Sequence, residues 1–375
     1  MKRREWMKAI GAAGAAAAWP RRANAGISSQ TQGSTIVDTD IIRLKLRHTW
    51  TTTMSSSAYR DTLHVRFHRD GITGIGEGAP IIRYGENTEE ARRAVESIRD
   101  LLVPADPWKF MRLQADISHR LAGQYAAKSA IDIAIMDWIG KKLGIPLYRY
   151  FGLDPADAPV TSFSIGIDTP EMTRQKVQEA ESYPVLKVKV GLDSDEATLD
   201  AIRSVTKKPL RVDANEGWKS KEEAVRKINW LETMGVELIE QPMPAAMLDD
   251  IRWVRSRVHI PIIADEACLR STDIPKLAGC FDGVNIKLDK SGGILEANRM
   301  IQIARSLGMK IMIGCMVSSS VSITAAAHLS PLADYADLDG NLLVSNDPYE
   351  GARVQSGCLI LPDGPGLGLR PAPAS

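Results

Sequence analysis

Asp213, Glu240 and Asp265 each follow a short apolar run, at separations of 27 and 25 residues. That is about one strand-plus-helix unit, so a parallel barrel would deliver all three carboxylates to the same end of adjacent strands, where barrel enzymes keep their active sites. Left alone they would repel and raise one another's pKa values, and a cation is the natural resolution. Three protein carboxylates leave coordination positions for water or substrate, which suits Mg²⁺. A helix cap or an arginine partner is the alternative for any single one of them. Three in register favour the cation.

Lysines flank this trio. In 185-VLKVKV-190, Lys187 and Lys189 are two positions apart and must leave the same face of a strand, while Leu186, Val188 and Val190 leave the other. Lys287 follows the apolar run 283–286, on the far side of the Asp265 strand. A substrate bound over the cation would have an ammonium on each face, which makes Lys189 and Lys287 the candidate acid and base and Lys187 an electrostatic neighbour. A free lysine titrates near ~10.4 and a useful base near ~7 to 8, so each would need a shift of about three units, roughly 4 kcal/mol. A second ammonium and a divalent cation both push that way. The competing role is simple neutralisation of the acidic cluster.

The elements that must position these groups are legible from residue 161 onward. Eight apolar runs, at 161–167, 185–190, 210–215, 237–242, 260–266, 283–289, 310–316 and 335–340, alternate with segments of helical periodicity such as 195–207 and 293–308. Parallel neighbours need crossover helices and a closed sheet removes the edges, so this pattern predicts a modified TIM barrel of the (β/α)7β kind, its last helix missing or replaced. Before it lie β-like stretches at 41–50 and 62–80 and then helices near 88–104, 108–121 and 124–143. The expected organisation is an α+β capping domain at 26–155, completed by the Pro- and Gly-rich tail 341–375, around a barrel at 156–340.

The set formed by the K-x-K pair, Asp213 with Asn215, Glu240-Gln241-Pro242, Asp265-Glu266 and Lys287 resembles the enolase superfamily, in its muconate-lactonizing-enzyme-like subgroup. The resemblance implies removal of a proton α to a carboxylate, with one Mg²⁺ holding the developing charge. Lysines on opposite faces imply a two-base 1,1-proton transfer and inversion. The pair Asp337 and Asp339 in 337-DLDG-340 is similar to that of dipeptide epimerases, where it grips the substrate's free ammonium; a local turn role is the alternative for Asp337. Similarity to such sequences also places Ser164 and Cys315 at the substrate cavity. Ser318 stands where many relatives carry Glu, which leaves preference for an Ala-Glu dipeptide open. Trp50 and Arg83 are candidates for contact with the second side chain, against packing and a surface ion pair.

Charged residues make up 25% of the chain and the net charge is +1, so no basic field for nucleic acid exists. The N-terminus, MKRREWMKAIGAAGAAAAWPRRANA, reads as a twin-arginine export signal over residues 1–25, with its small-residue cleavage site at Ala23-Asn24-Ala25. It implies a periplasmic protein with no membrane attachment after signal removal. The expected partner is a dipeptide, and homo-oligomerisation stays open. None of the four cysteines has C-x-x-C spacing; an oxidising compartment would permit a Cys268–Cys280 disulfide, and buried free thiols are the simpler expectation. N-acylamino acid racemase, o-succinylbenzoate synthase and muconate cycloisomerase share the lysines and the metal set. A sugar-acid dehydratase would need a late histidine, and none occurs between Arg299 and Ala327. A non-catalytic peptide-binding protein would not need bases on two faces.

Overall fold

The computed structural model describes residues 35–52 and 55–373. The expected export signal, its cleavage site and the start of the mature chain lie outside them. An antiparallel sheet of β1 (Ile36–Thr51), β2 (Ser56–Arg69) and β3 (Ile72–Gly78) opens the described chain, followed by helices α1 (Thr88–Ser97), α2 (Arg99–Leu102), α3 (Phe110–Arg120), α4 (Tyr125–Leu143) and α5 (Leu147–Tyr150). Helix α4 lies directly on β3. A Cβ at Gly74, Gly76 or Gly78 would fall 2.0, 1.9 and 2.0 Å from the carbonyl oxygens of Ala134, Ala130 and Ala126. Glycine every second residue on a strand and alanine every fourth on a helix thus let two backbones touch. Helix α4 is buried around its whole circumference over residues 126–140, with Lys128, Asp132 and Asp137 among mostly apolar side chains.

The second sheet has eight parallel strands in sequential order: β4 (Phe163–Ile165), β5 (Leu186–Lys189), β6 (Leu210–Asp213), β7 (Val236–Glu240), β8 (Ile262–Ala264), β9 (Gly283–Ile286), β10 (Lys310–Gly314) and β11 (Tyr335–Asp337). The crossovers carry α6 (Pro170–Glu179), α7 (Asp195–Arg203), α8 (Lys221–Thr233), α9 (Leu248–Arg255), α10 (Ile274–Leu277), α11 (Leu288–Ser291) with α12 (Ile294–Ser306), and α13 (Ser320–Ala327). An isolated parallel bridge between Thr161 and Ala336 closes the ring, with the Ser162 N–H donating to the Ala336 carbonyl at 3.1 Å. Among the described residues no helix follows β11. The chain instead runs back over the first sheet and its helices: Leu46 of β1 bridges to Val344, the Leu147 N–H of α5 donates to Gly366, and the Leu367 N–H donates to Asp137 of α4.

Buried carboxylates join the two sheets' domains. Asp132 of α4 accepts the N–H groups of Ile294 and Leu295, at the start of α12 whose own cap is the bare Gly293. Glu77 of β3 does the same for Ser319 and Ser322 at the start of α13. Each satisfies orphan donors that the helix cannot satisfy itself.

Candidate active site

Alternation along each barrel strand decides which side chains meet in the middle. Residues of one parity, such as Leu186, Val188, Val212, Ile239, Ile262 and Ile313, join the main core beneath the helices. The other parity fills the barrel: Leu238, Ile263 and Met312 form a separate apolar layer, with Tyr335 packed against it. Above that floor the inward positions become polar. Parallel pairing aligns Ser164 with Lys187, Lys189 with Asp213 and Asp213 with Glu240, so the charged groups stand at matched heights.

Asp213, Glu240 and Asp265 present carboxylate oxygens within 4.8 Å of one another, and all three residues are buried. The lysines surround them. Lys189 Nζ lies 2.5 Å from Asp213, Lys287 Nζ 2.7 Å from Asp265, and Lys187 Nζ 2.7 Å from Glu240 and 2.6 Å from Asp337. Lys189 and Lys287 therefore approach the trio from its two flanks, β5 and the end of β9, while Lys187 sits between the trio and the eighth strand.

The electrostatics differ in one respect from the sequence-based expectation. Burial works to strip Lys287 of its proton, but Asp265 and Glu240 outweigh it and hold the group well above the ordinary lysine value. Lys187 is held up in the same way by Asp337, Glu240 and Asp213. The carboxylates, not the neighbouring ammonium groups, dominate both. In return, against the opposition of burial, Lys287 and Lys290 keep Asp265 well below the carboxylate range, and Lys189 and Lys187 keep Asp213 low. Glu240 has the weakest compensation: burial and Asp213 push it up to about 7. A trio of hard oxygen donors in which one member holds its charge so poorly fits a divalent cation, and Mg²⁺ suits an all-carboxylate set that is open on one side.

Two groups, Lys290 and Asn285, act around these residues without having been singled out by sequence. Lys290, fully buried, donates to both the side chain and the backbone carbonyl of Asp265 at 2.5 Å. It lies three residues past Lys287, on the same turn, and that spacing was its signal. Asn285 donates to Glu240 at 2.7 Å; its amide fills the space a Cβ on Gly314 would need, 2.5 Å away. Gln241 accepts from the N–H groups of Asp265 and Ala267, tying the ends of β7 and β8. Asn215, Glu216 and Gln241 all adopt positive φ at these strand ends, at 42°, 63° and 35°. Backbone strain gathers where the charged groups are aimed.

A cleft of about 250 Å³ opens above, between the barrel mouth and the β1–β2 and 82–84 segments. Lys187, Lys189, Asp265, Lys287, Ser164, Cys315, Asp337 and Asp339 all line it, whereas Asp213 and Glu240 lie beneath. The two aspartates of the eighth strand are not equivalent. Asp337 is held by Lys187 and by the Ser162 hydroxyl at 2.8 Å, and Lys187 keeps it ionised against burial. Asp339 accepts the Ser164 N–H at 2.6 Å and has no cationic partner among the described residues; burial and Asp337 push it up to about 7. Burial and Asp339 raise the Cys315 thiol well above its usual value, which keeps it in the neutral, weakly nucleophilic form. Trp50 packs over Gly166 at the rim, and Arg83 is clamped bidentately to Glu216 at 2.8 and 3.0 Å, the ion-pair alternative. Ser318 is buried and turned to the Met316 carbonyl. All four cysteines are free.

Comparison with known proteins agrees with this architecture. Residues 36–152 match the mandelate racemase / muconate lactonizing enzyme N-terminal domain, and residues 171–375 the enolase C-terminal domain-like family. The chain is 42% identical to an L-Ala-D/L-Glu epimerase of Bacteroides thetaiotaomicron, across 87% of this chain and 85% of that one. It is 44% identical to an L-Ala-D/L-amino acid epimerase of Pedosphaera parvula, across 87% and 96%. A crystal structure of a dipeptide epimerase from Enterococcus faecalis V583, complexed with Mg and L-Leu-L-Tyr, superposes with a TM-score of 0.84 at 32% identity, covering 90% of this chain and 99% of that one.

Proposed function

This chain belongs to the mandelate racemase / muconate lactonizing enzyme family, and on that premise we propose that it is a Mg²⁺-dependent dipeptide epimerase acting at the α-carbon of the C-terminal residue. The observation that carries the reading is the pair of lysines on opposite flanks of one carboxylate trio, Lys189 against Asp213 and Lys287 against Asp265.

Asp213, Glu240 and Asp265 would hold the ion, whose positive charge would stabilise the charge that develops on the substrate carboxylate. The remaining work falls to the chain itself. One lysine, neutral at Nζ, takes the α-proton from its face of the substrate; the other, as an ammonium, delivers a proton to the opposite face. The α-carbon is inverted, the two lysines exchange protonation states, and solvent exchange resets them. Asp339 receives the substrate's free ammonium, because the charge of Asp337 is already met by Lys187. Trp50 of β1 and Ser57 of β2 border the cleft and limit water at the reacting carbon.

Incubation with a dipeptide panel in D₂O and Mg²⁺ tests this reading. Deuterium should enter at the C-terminal α-carbon together with formation of the epimer. Tight binding with no exchange would leave a peptide-binding protein instead. N-acylamino acids provide a second arm: they lack the ammonium that Asp339 is placed to receive, and faster turnover of them than of dipeptides would favour the racemase reading.

The domain organisation belongs to the same proposal, with a cap at 26–155 and 341–375 around a barrel at 156–340. So does export: Arg3-Arg4 and Ala23-Asn24-Ala25 support a twin-arginine signal and a periplasmic location. Cell fractionation before and after an Arg3→Lys, Arg4→Lys exchange checks it, and activity confined to the cytoplasm of the unaltered strain would refute it.

A further inference from the structure

The two lysines on opposite flanks of the trio are held by the fold in different ways. Lys189 is part of β5 and pairs with Asp213 in the parallel ladder, so the sheet fixes its backbone. Lys287 lies one residue past β9, beyond that strand's last ladder pairs, Ile286 with Ile313 and Val284 with Ala264. It immediately precedes α11, a single turn bounded by Gly292. Buried polar side chains leave this stretch in two directions. Lys287 and Lys290 reach Asp265 at 2.7 and 2.5 Å. Asp289 turns instead to β3 and α13: its Oδ1 accepts the Ala79 N–H at 2.7 Å, and its Oδ2 accepts the Ser322 hydroxyl at 3.2 Å. Ala79 directly follows β3, and residues 81–84 beyond it line the cleft. One carboxylate thus ties the root of a cleft wall to the turn from which Lys287 projects.

A carboxylate is a costly choice for this position. Asp289 is buried and has no ion-pair partner among the described residues; burial, with Glu77 nearby, pushes it up to about 7 against the pull of its two donors. An apolar side chain would avoid that cost but would leave the Ala79 N–H without its acceptor and the turn without its link. We propose that Asp289 is a positioning residue for one half of the proton transfer: it fixes Lys287 relative to the cleft wall at 81–84, and so serves the substrate face that Lys287 serves, while the sheet alone positions Lys189. This rests on the dipeptide reading above. A reacting group carried on a turn tolerates little drift, since a misplacement of about 1 Å can lower a rate by about 100-fold.

The test measures α-proton exchange in D₂O with Mg²⁺, started separately from the L,L and L,D epimers of the fastest dipeptide in the panel above. The epimer whose exchange is lost in Lys287→Ala is the one whose α-proton faces Lys287. Asp289→Ala should slow exchange from that same epimer about 10- to 100-fold and leave exchange from the other within a few-fold. Calorimetric Mg²⁺ binding should persist. Asp289→Asn should restore most of the rate, because its amide oxygen accepts the same Ala79 N–H. Some loss of melting temperature accompanies Asp289→Ala on either view, so the discriminating readout is the epimer affected. If Asp289→Ala does not fold, Ser322→Ala, which removes only the weaker of the two bonds, should show the same bias in smaller measure. Equal slowing from both epimers, slowing of the Lys189 epimer, or unchanged exchange overturns the inference while leaving epimerisation standing. No exchange from either epimer by the unaltered enzyme removes the parent reading, and this inference with it.

Discussion

The protein buries carboxylates in two places and stabilises them by different means. At the joint between the cap and the barrel, Asp132 and Glu77 are met by backbone N–H groups at the starts of α12 and α13, with the Ser319 hydroxyl and His64 also beside Glu77. At the barrel mouth, Asp213, Glu240, Asp265 and Asp337 are met by lysine side chains. Backbone donors are fixed by the fold and cannot leave, so a carboxylate satisfied by them is a structural part. Ammonium groups can be exchanged for a cation or can surrender a proton, so a carboxylate satisfied by them remains available for chemistry. The same side chain is mortar in one region and a reactive surface in the other.

Substitutions should separate the two regions cleanly. The largest effect belongs to Lys189→Ala and Lys287→Ala, each of which should lower kcat for epimerisation by about 10³-fold or more. Calorimetric Mg²⁺ binding should persist in both, and each variant should still wash deuterium into one epimer only, since one face keeps its base. Exchange into both epimers by either variant would refute the division of labour. Next comes Glu240→Gln, which removes a trio oxygen and should weaken Mg²⁺ binding by about 10- to 100-fold while the melting temperature changes little. At the joint the pattern should reverse: Asp132→Ala or Glu77→Ala should cost about 1 to 3 kcal/mol in denaturant unfolding through loss of a cap, with kcat within a few-fold of normal. A joint variant that lost activity but no stability would erase the distinction. The smallest effect concerns pH. Asp339 is pushed up to about 7 by burial and Asp337, so below about pH 7 it takes a proton and loses the charge that receives the substrate ammonium. KM should then rise on the acid side more than kcat falls, and Asp339→Asn should flatten that rise. An unaltered acid-side rise in the variant would assign it to another group.

The two regions were also unequally legible in the sequence. The mouth could be read because its groups obey a local rule: on each strand the residue two before or two after an inward position is also inward, and the spacing between strands repeats. That rule delivered the trio and the three lysines to one site. The joint could not be read, because its carboxylates bond to backbone groups 162 to 245 residues away, and a backbone N–H has no residue type. Glycine every second residue in 74-GIGEG-78 was visible, yet its meaning depended on alanines in a distant helix. Asp337 lines the cleft beside Asp339, and the sequence carried no sign that Lys187, on a different strand, would also bind it. The direction in which Lys287 is shifted was also hidden, since it follows from distances to Asp265 and Glu240.

The seam between the first and eighth barrel strands bears on the order in which the site assembles during folding. The trio comes from three consecutive strands, whereas the seam joins Ser162 to Ala336 across 174 residues, and long loops close late. Asp337 gains Ser162 and Lys187, and Asp339 the Ser164 N–H, only when that seam shuts. A refolding chain should therefore regain Mg²⁺ binding before it regains turnover, and simultaneous recovery of the two in stopped-flow measurements would show instead that the ring closes as one unit.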